Sequence, residues 1–74
     1  MGSLRDEKFI KQFAANLKVI RKSKNLSMEK LARSINMEIP NYSRIERGET
    51  NVTISTLKAL AVGLKVPPSA LLSF

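Results

Sequence analysis

The stretch "SMEKLARSINMEIPNYSRIERGE", residues 27–49, reads as two short helices separated by a tight turn. Ser27 is a good N-cap residue, and Met28, Leu31, Ala32 and Ile35 follow on one helical stripe. Lys30 stands where a capping box would place Glu, but Glu29 suits the positive end of a helix. Asn36 follows the last stripe residue, and asparagine tolerates the left-handed conformation that ends helices. A sharp turn over Asn36 and Met37 is therefore expected. The next helix should begin near Ile39, because Pro40 fits a first turn, where its missing N–H has no partner to lose. It runs to Arg47 and stops at Gly48, which can take the positive φ of a C-terminal cap.

Working outward, the apolar residues Phe9, Ile10, Phe13, Ala14, Leu17 and Ile20 recur at three- and four-residue steps between Glu7 and Lys24, predicting an amphipathic helix. Downstream, Thr53 can cap a fourth helix whose inward stripe is Ile54, Leu57, Leu60, Ala61 and Leu64. Pro67 and Pro68 end it and open a short fifth turn through Ala70, Leu71 and Leu72. Nothing alternates with period two over a useful length, and no repeat or low-complexity tract interrupts the pattern. The expected fold is all-α, a five-helix domain over residues 1–74, with residues 1–5 a flexible tail or residues left by cloning.

A chain of 74 residues buries apolar area that only narrowly outweighs the entropy lost on folding, so a second copy would help. It has no cysteine and no histidine, which removes disulfides, thiolate metal sites, the commonest metal ligand and the commonest general base. No metal or cofactor is expected. Ser, Lys, Glu and Tyr are present, but no spacing assembles a nucleophile with a base, so the reading is of a protein that is not an enzyme. No apolar run is long enough to span a bilayer and no secretory core follows the first charges, which predicts a cytoplasmic protein. Thirteen basic against six acidic residues give a net charge of +7, favouring an anionic partner, either nucleic acid or a membrane surface. The plainer reading is that these charges only keep the domain soluble.

Two short helices joined by a tight turn, in a basic chain, match the arrangement in which one helix crosses the phosphate backbone and the next lies in the major groove. A generic small bundle is the alternative. Residues 26–72, "LSMEKLARSINMEIPNYSRIERGETNVTISTLKALAVGLKVPPSALL", resemble the helix-turn-helix domain of the Xre, Cro and phage-repressor family, and residues 8–25 match its first helix. The most specific parts are "LARSINM", "SRIERGE" and "TISTLKALAVGLKV". Short stand-alone regulators, including the controller proteins of restriction-modification systems, are the most similar members. The resemblance implies a lambda-repressor-like domain that binds operator DNA as a homodimer, with the third helix as reader. It also implies that Glu46 pairs with Arg21 of the first helix, as a structural ion pair. Two positions depart from the family pattern: Asn36 replaces the usual turn glycine, and Met28 stands where many members carry a glutamine that touches phosphate.

On the third helix Tyr42 and Ile45 lie about 60° apart and set the inward face. Pro40, Ser43, Arg44 and Arg47 then point away from the core, with Ile39 and Asn41 on the flanks. The candidates for base contact are Ile39, Pro40, Asn41, Ser43 and Arg44, since bases are reached mainly from the N-terminal part of a reader helix. Arg44 leads, because a guanidinium can make two bonds to guanine; the alternatives are a solvated side chain or a phosphate contact. Asn41 either reads adenine or bonds its own helix end. Ile39 and Pro40 offer only apolar contact, for instance to a thymine methyl. Phosphate contacts are expected from Ser27, Arg47, Asn51 and Thr53, with Lys22, Lys24 and Arg33 adding to the field. Glu46, about 100° round the helix from Ile45, can turn inward.

Two readers about 34 Å apart would grip successive turns of one DNA face. Val66, Leu71, Leu72 and Phe74 are more apolar than a solvated tail needs and are candidates for the dimer interface; alternatively they close the core under the first and fourth helices. The function expected is a small transcriptional regulator of double-stranded operator DNA, with no small-molecule ligand and no membrane partner. The rival reading is an antitoxin or anti-regulator module that holds another protein with its apolar tail.

Overall fold

The computed structural model describes residues 5–74 and contains α1 (Glu7–Ser23), α2 (Met28–Ser34), α3 (Ile39–Glu46) and α4 (Ile54–Leu64), followed by a 3-10 helix, Pro68–Leu72. The fifth element is thus a short 3-10 helix of five residues, with Pro67 as its N-cap and Pro68 at its first position, where a missing N–H has no partner to lose. Of the tail expected over residues 1–5, residues 1–4 lie outside the described residues. Arg5 is held, its Nη2 donating to the Glu49 carbonyl at 3.0 Å.

Three α-helices start on a side chain that accepts from a free backbone N–H. Asp6 accepts from the Phe9 amide, Ser27 from that of Lys30 and Thr53 from that of Thr56, at 2.9, 3.0 and 3.1 Å. α3 differs, starting on Glu38 without such a bond and carrying Pro40 in its first turn. All four ends are sealed alike. The amides of Leu26, Met37, Glu49 and Val66 reach back five residues to the carbonyls of Arg21, Ala32, Arg44 and Ala61. That closure needs a left-handed residue just before each amide, supplied by Asn25, Asn36, Gly48 and Lys65 at φ of 58, 55, 74 and 58°. Asparagine and glycine suit the conformation; Lys65 takes it against its own preference.

The core gathers Phe13 and Leu17 from α1, Leu31 and Ala32 from α2, Tyr42 and Ile45 from α3, Leu60, Ala61 and Leu64 from α4, and Leu71 from the 3-10 turn. α2 packs on α3 and α4, while α1 packs on α3 and on the 3-10 turn. The Asn16 amide ties that turn to α1 through bonds of 3.0 Å to the carbonyls of Ala70 and Leu71.

Three expectations are corrected here. Ile54 is 82 % exposed instead of facing inward, because it opens the first turn of α4 on the rim of a groove and the buried stripe begins deeper in the helix. Phe9 is likewise half exposed and leans on Phe74, with ring centroids 5.1 Å apart. Leu71 has no exposed surface, so it closes the monomer core and cannot meet a second copy.

Gly63 lies where α4 crosses α2. A Cβ there would come within 2.7 Å of Ile35 Cγ2 and 2.8 Å of Leu31 Cδ1, closer than carbon atoms approach without displacement. Gly63→Ala is therefore expected to destabilise the fold by about 1–3 kcal/mol, despite alanine's better helix propensity. A lower urea midpoint with an unchanged slope checks this.

Candidate nucleic-acid interface

α3 presents two faces of different chemistry. Tyr42 and Ile45 are buried, whereas Pro40, Asn41, Arg44 and Arg47 are exposed and Ser43 is half buried. Ile39 packs partly against the core, leaving only part of its side chain for an outside contact. Asn41 and Arg44, one turn apart, are joined by a bond of 2.7 Å from Arg44 Nη1 to Asn41 Oδ1. Asn41 Nδ2 also points at Glu38 Oε1, at 3.5 Å.

The loop after α3 brings further candidates to the same surface. Asn41, Arg44, Asn51 and Thr53 line one open depression, together with Met37, Thr50 and Thr56. The candidates for base contact and for phosphate contact thus meet on one side, although Asn41 and Thr53 are 12 residues apart. Ser27, at the start of α2, is exposed, and its oxygen already accepts from Lys30, leaving its hydroxyl proton available. Thr53 differs, since its hydroxyl donates to Thr56 Oγ1 at 3.0 Å.

Arg47 is held from two sides. Its Nη1 donates to Ser43 Oγ at 2.7 Å and its Nε to Glu49 Oε2 at 2.8 Å. The pair with Glu49 raises the guanidinium pKa further. The Glu49 carboxyl is lowered, first by its bond from Arg47 and then by the charges of Arg47, Lys11 and Arg44. Sequence periodicity does not reveal this contact. The partners are two residues apart, which on a continuous helix would put them on different faces, and the Gly48 turn folds one back to the other.

Behind this surface lies a buried charged cluster. Arg21 Nε and Nη2 donate to Glu46 Oε2 and Oε1 at 2.9 and 2.8 Å, a two-pronged bond. Arg21 Nη1 donates to the Leu26 carbonyl at 2.6 Å, and the Tyr42 hydroxyl donates to Glu46 Oε2. The two charged side chains are 9 % and 5 % exposed, so neither is offered to an outside ligand. Burial pushes the Glu46 carboxyl up, but the bonds from Arg21 and Tyr42 and the charges of Arg21 and Lys18 outweigh it, and the net pKa is lowered. Arg21 is raised, mainly by its bond to Glu46. Tyr42 is raised by burial first and by Glu46 second, which keeps the phenol protonated as a donor.

The tail candidates do not form one surface. Val66 is half buried against the core and Leu71 is within it. Leu72 and Phe74 are exposed, and Leu72 lines a groove with Phe9, Ile10, Phe13, Ile54 and Leu57. Ile54 is the addition that sequence reasoning missed, since its place on the apolar period of α4 pointed it inward.

A helix-turn-helix family model, HTH_3, matches residues 17–71. The chain is 38 % identical over 63 residues to the control protein C.MunI of Mycoplasma sp, covering 84 % of this chain and 85 % of that protein. Its structure is similar to that of the restriction-modification controller protein C.AhdI from Aeromonas hydrophila, with a TM-score of 0.81, 31 % identity and coverage of 84 % of this chain and 94 % of that one. It is also similar to the controller protein C.Esp1396I, solved as a tetramer in complex with its natural 35 base-pair operator, with a TM-score of 0.82, 29 % identity and coverage of 89 % and 87 %. The chain therefore belongs to the HTH_3 helix-turn-helix family and, within it, is a relative of the restriction-modification control proteins.

Proposed function

We propose that the protein is a cytoplasmic transcriptional regulator that binds a specific double-stranded DNA site as a homodimer, with α3 in the major groove. The observation that carries this reading is the shared depression of Asn41, Arg44, Asn51 and Thr53, set at the end of a helix-turn-helix pair in a chain of charge +7. Arg44 and Asn41 act as a unit toward base edges, their mutual bond fixing the guanidinium beside the amide one turn earlier. Ser27, Arg47 and Asn51, with the backbone N–H groups at the starts of α2 and α4, contact phosphate and fix the register. Arg21 and Glu46 are structural in this reading, since they join α1 to α3 beneath the reader. Among the described residues, no helix is long and apolar enough to cross a membrane.

The second copy sits on the groove beside α4. Ile54, Leu72, Phe9 and Phe74 expose apolar surface around it, with Ile10, Phe13 and Leu57 below. A projecting side chain beside a groove is self-complementary under a two-fold axis, so each copy can insert Ile54 into the other's groove.

Selection of bound sequences from random duplex DNA tests the reading. A two-fold-symmetric site with half-sites about one helical turn, or 34 Å, apart is expected. Binding that lacks sequence preference and vanishes with modest salt would overturn it. Within the selected site, Arg44→Ala should cost about 1–3 kcal/mol of discrimination at one base pair per half-site. Competition against duplexes changed at each position measures it.

A further inference from the structure

Glu49 is a carboxylate set among cations at the edge of the DNA-facing surface. It takes the Nε of Arg47 at 2.8 Å, and it lies close enough to Lys11 and Arg44 for their charges to act on it. Arg47 Nη2 also reaches the other Glu49 oxygen at 3.4 Å and Nη1 donates to Ser43 Oγ, so in the free protein Glu49 holds the Nε edge of the guanidinium and one hydrogen on each Nη stays open to a phosphate. A carboxylate and a phosphate oxygen ask for the same donors, and both do not fit on one guanidinium edge without repelling each other. A phosphate must therefore either displace Glu49 to reach the Nε edge or bind the open Nη edge beside a like charge, and both weaken its hold on Arg47.

We propose that Glu49 is a specificity-determining residue that acts as an internal competitor for phosphate, weakening DNA binding without base recognition more than binding to the cognate site. This rests on the reading of Arg47 as a phosphate contact. The asymmetry comes from how each complex is held. Non-cognate binding relies on backbone charge alone, so a carboxylate at the arginine removes a large share of what holds it. In the cognate complex, base contacts fix α3 in register and hold the phosphate against Arg47, so displacing Glu49 is a smaller fraction of the total. Glu49 is exposed and its amide seals α3 through backbone alone, so its side chain can be replaced without loss of the fold.

The experiment compares the full chain with Glu49→Gln, Arg47→Gln and the double variant on the selected duplex and on a random duplex, over a series of salt concentrations. Glu49→Gln is expected to tighten random-duplex binding about three- to fivefold, as befits one exposed ion pair, and to steepen the plot of log K against log salt by up to about one unit. Cognate binding should tighten less, so the ratio of the two affinities falls. In the Arg47→Gln background the same substitution should change random-duplex binding by less than about twofold, since the competition has lost its object. Unchanged or weaker random-duplex binding by Glu49→Gln would overturn the proposal, and so would an equal gain on both duplexes. Failure of the underlying reading looks different: Arg47→Gln would then leave affinity and salt slope unchanged on both duplexes.

Discussion

Replacing Glu46 by alanine is expected to destabilise the protein by about 3 kcal/mol, the low end of what breaking a buried ion pair costs. The low end applies because Arg21, though 91 % enclosed, would keep its bond to the Leu26 carbonyl at 2.6 Å. The Tyr42 hydroxyl would lose its acceptor at the same time, adding an unsatisfied donor to the stranded charge. For 74 residues the whole stability is on the order of 4–11 kcal/mol, so this one change removes about a quarter or more. Urea denaturation at neutral pH measures it. The pH dependence follows from the lowered Glu46 pKa, because a carboxyl held below its unfolded value, near 4.5, contributes stability that is complete above that value. The contribution is lost as the pH falls through the folded pKa. The gap between wild type and Glu46→Ala should thus be constant above about pH 5.5 and close progressively below about 4.5. A gap that stays constant down to the lowest pH at which both fold would contradict the assignment of the cluster.

Ile54→Asp is expected to abolish the proposed dimer while leaving the monomer intact. At 82 % exposure, Ile54 contributes little to its own core, and an aspartate in the first turn of α4 is favoured by the helix dipole. In a two-fold interface the same substitution places a carboxylate in both grooves, among Phe9, Phe13 and Leu72, where no described cation lines the site. The dimer dissociation constant should rise at least about a hundredfold. Sedimentation without DNA reads this directly, so the added charge near the proposed phosphate contacts does not enter. Retention of the wild-type oligomeric state would place the interface elsewhere, and a folded monomer confirms that the substitution spared the core.

Both experiments probe features that differ in how far local pattern exposes them. The helices follow from apolar spacing, and their limits from Ser27, Thr53, Pro40, Asn36 and Gly48, each of which has a conformational preference of its own. The inward turn of Tyr42 and Ile45 follows from period as well. Ile54 misleads for the same reason that Leu57 does not. Period fixes the side of a helix on which a residue lies, but burial depends on whether another element reaches that position: Leu57 packs against the core, whereas Ile54, one turn earlier on the groove rim, is left 82 % exposed.

What the sequence by itself determined is the set of helices, their ends, the basic balance of charge and the family, because these depend on neighbours within a few residues or on a recognisable run. What only the tertiary structure decided is which charges meet. Asn41 and Arg44 join Asn51 and Thr53 on one surface because the Gly48 turn reverses the chain. Arg47 is engaged by Glu49 across that same turn. Leu71 is consumed by the core while Leu72, its neighbour, stays open, because a 3-10 turn rotates adjacent residues by about 120°. Ion pairs and interfaces are properties of three-dimensional proximity, and one-dimensional spacing encodes that only as far as the helix continues.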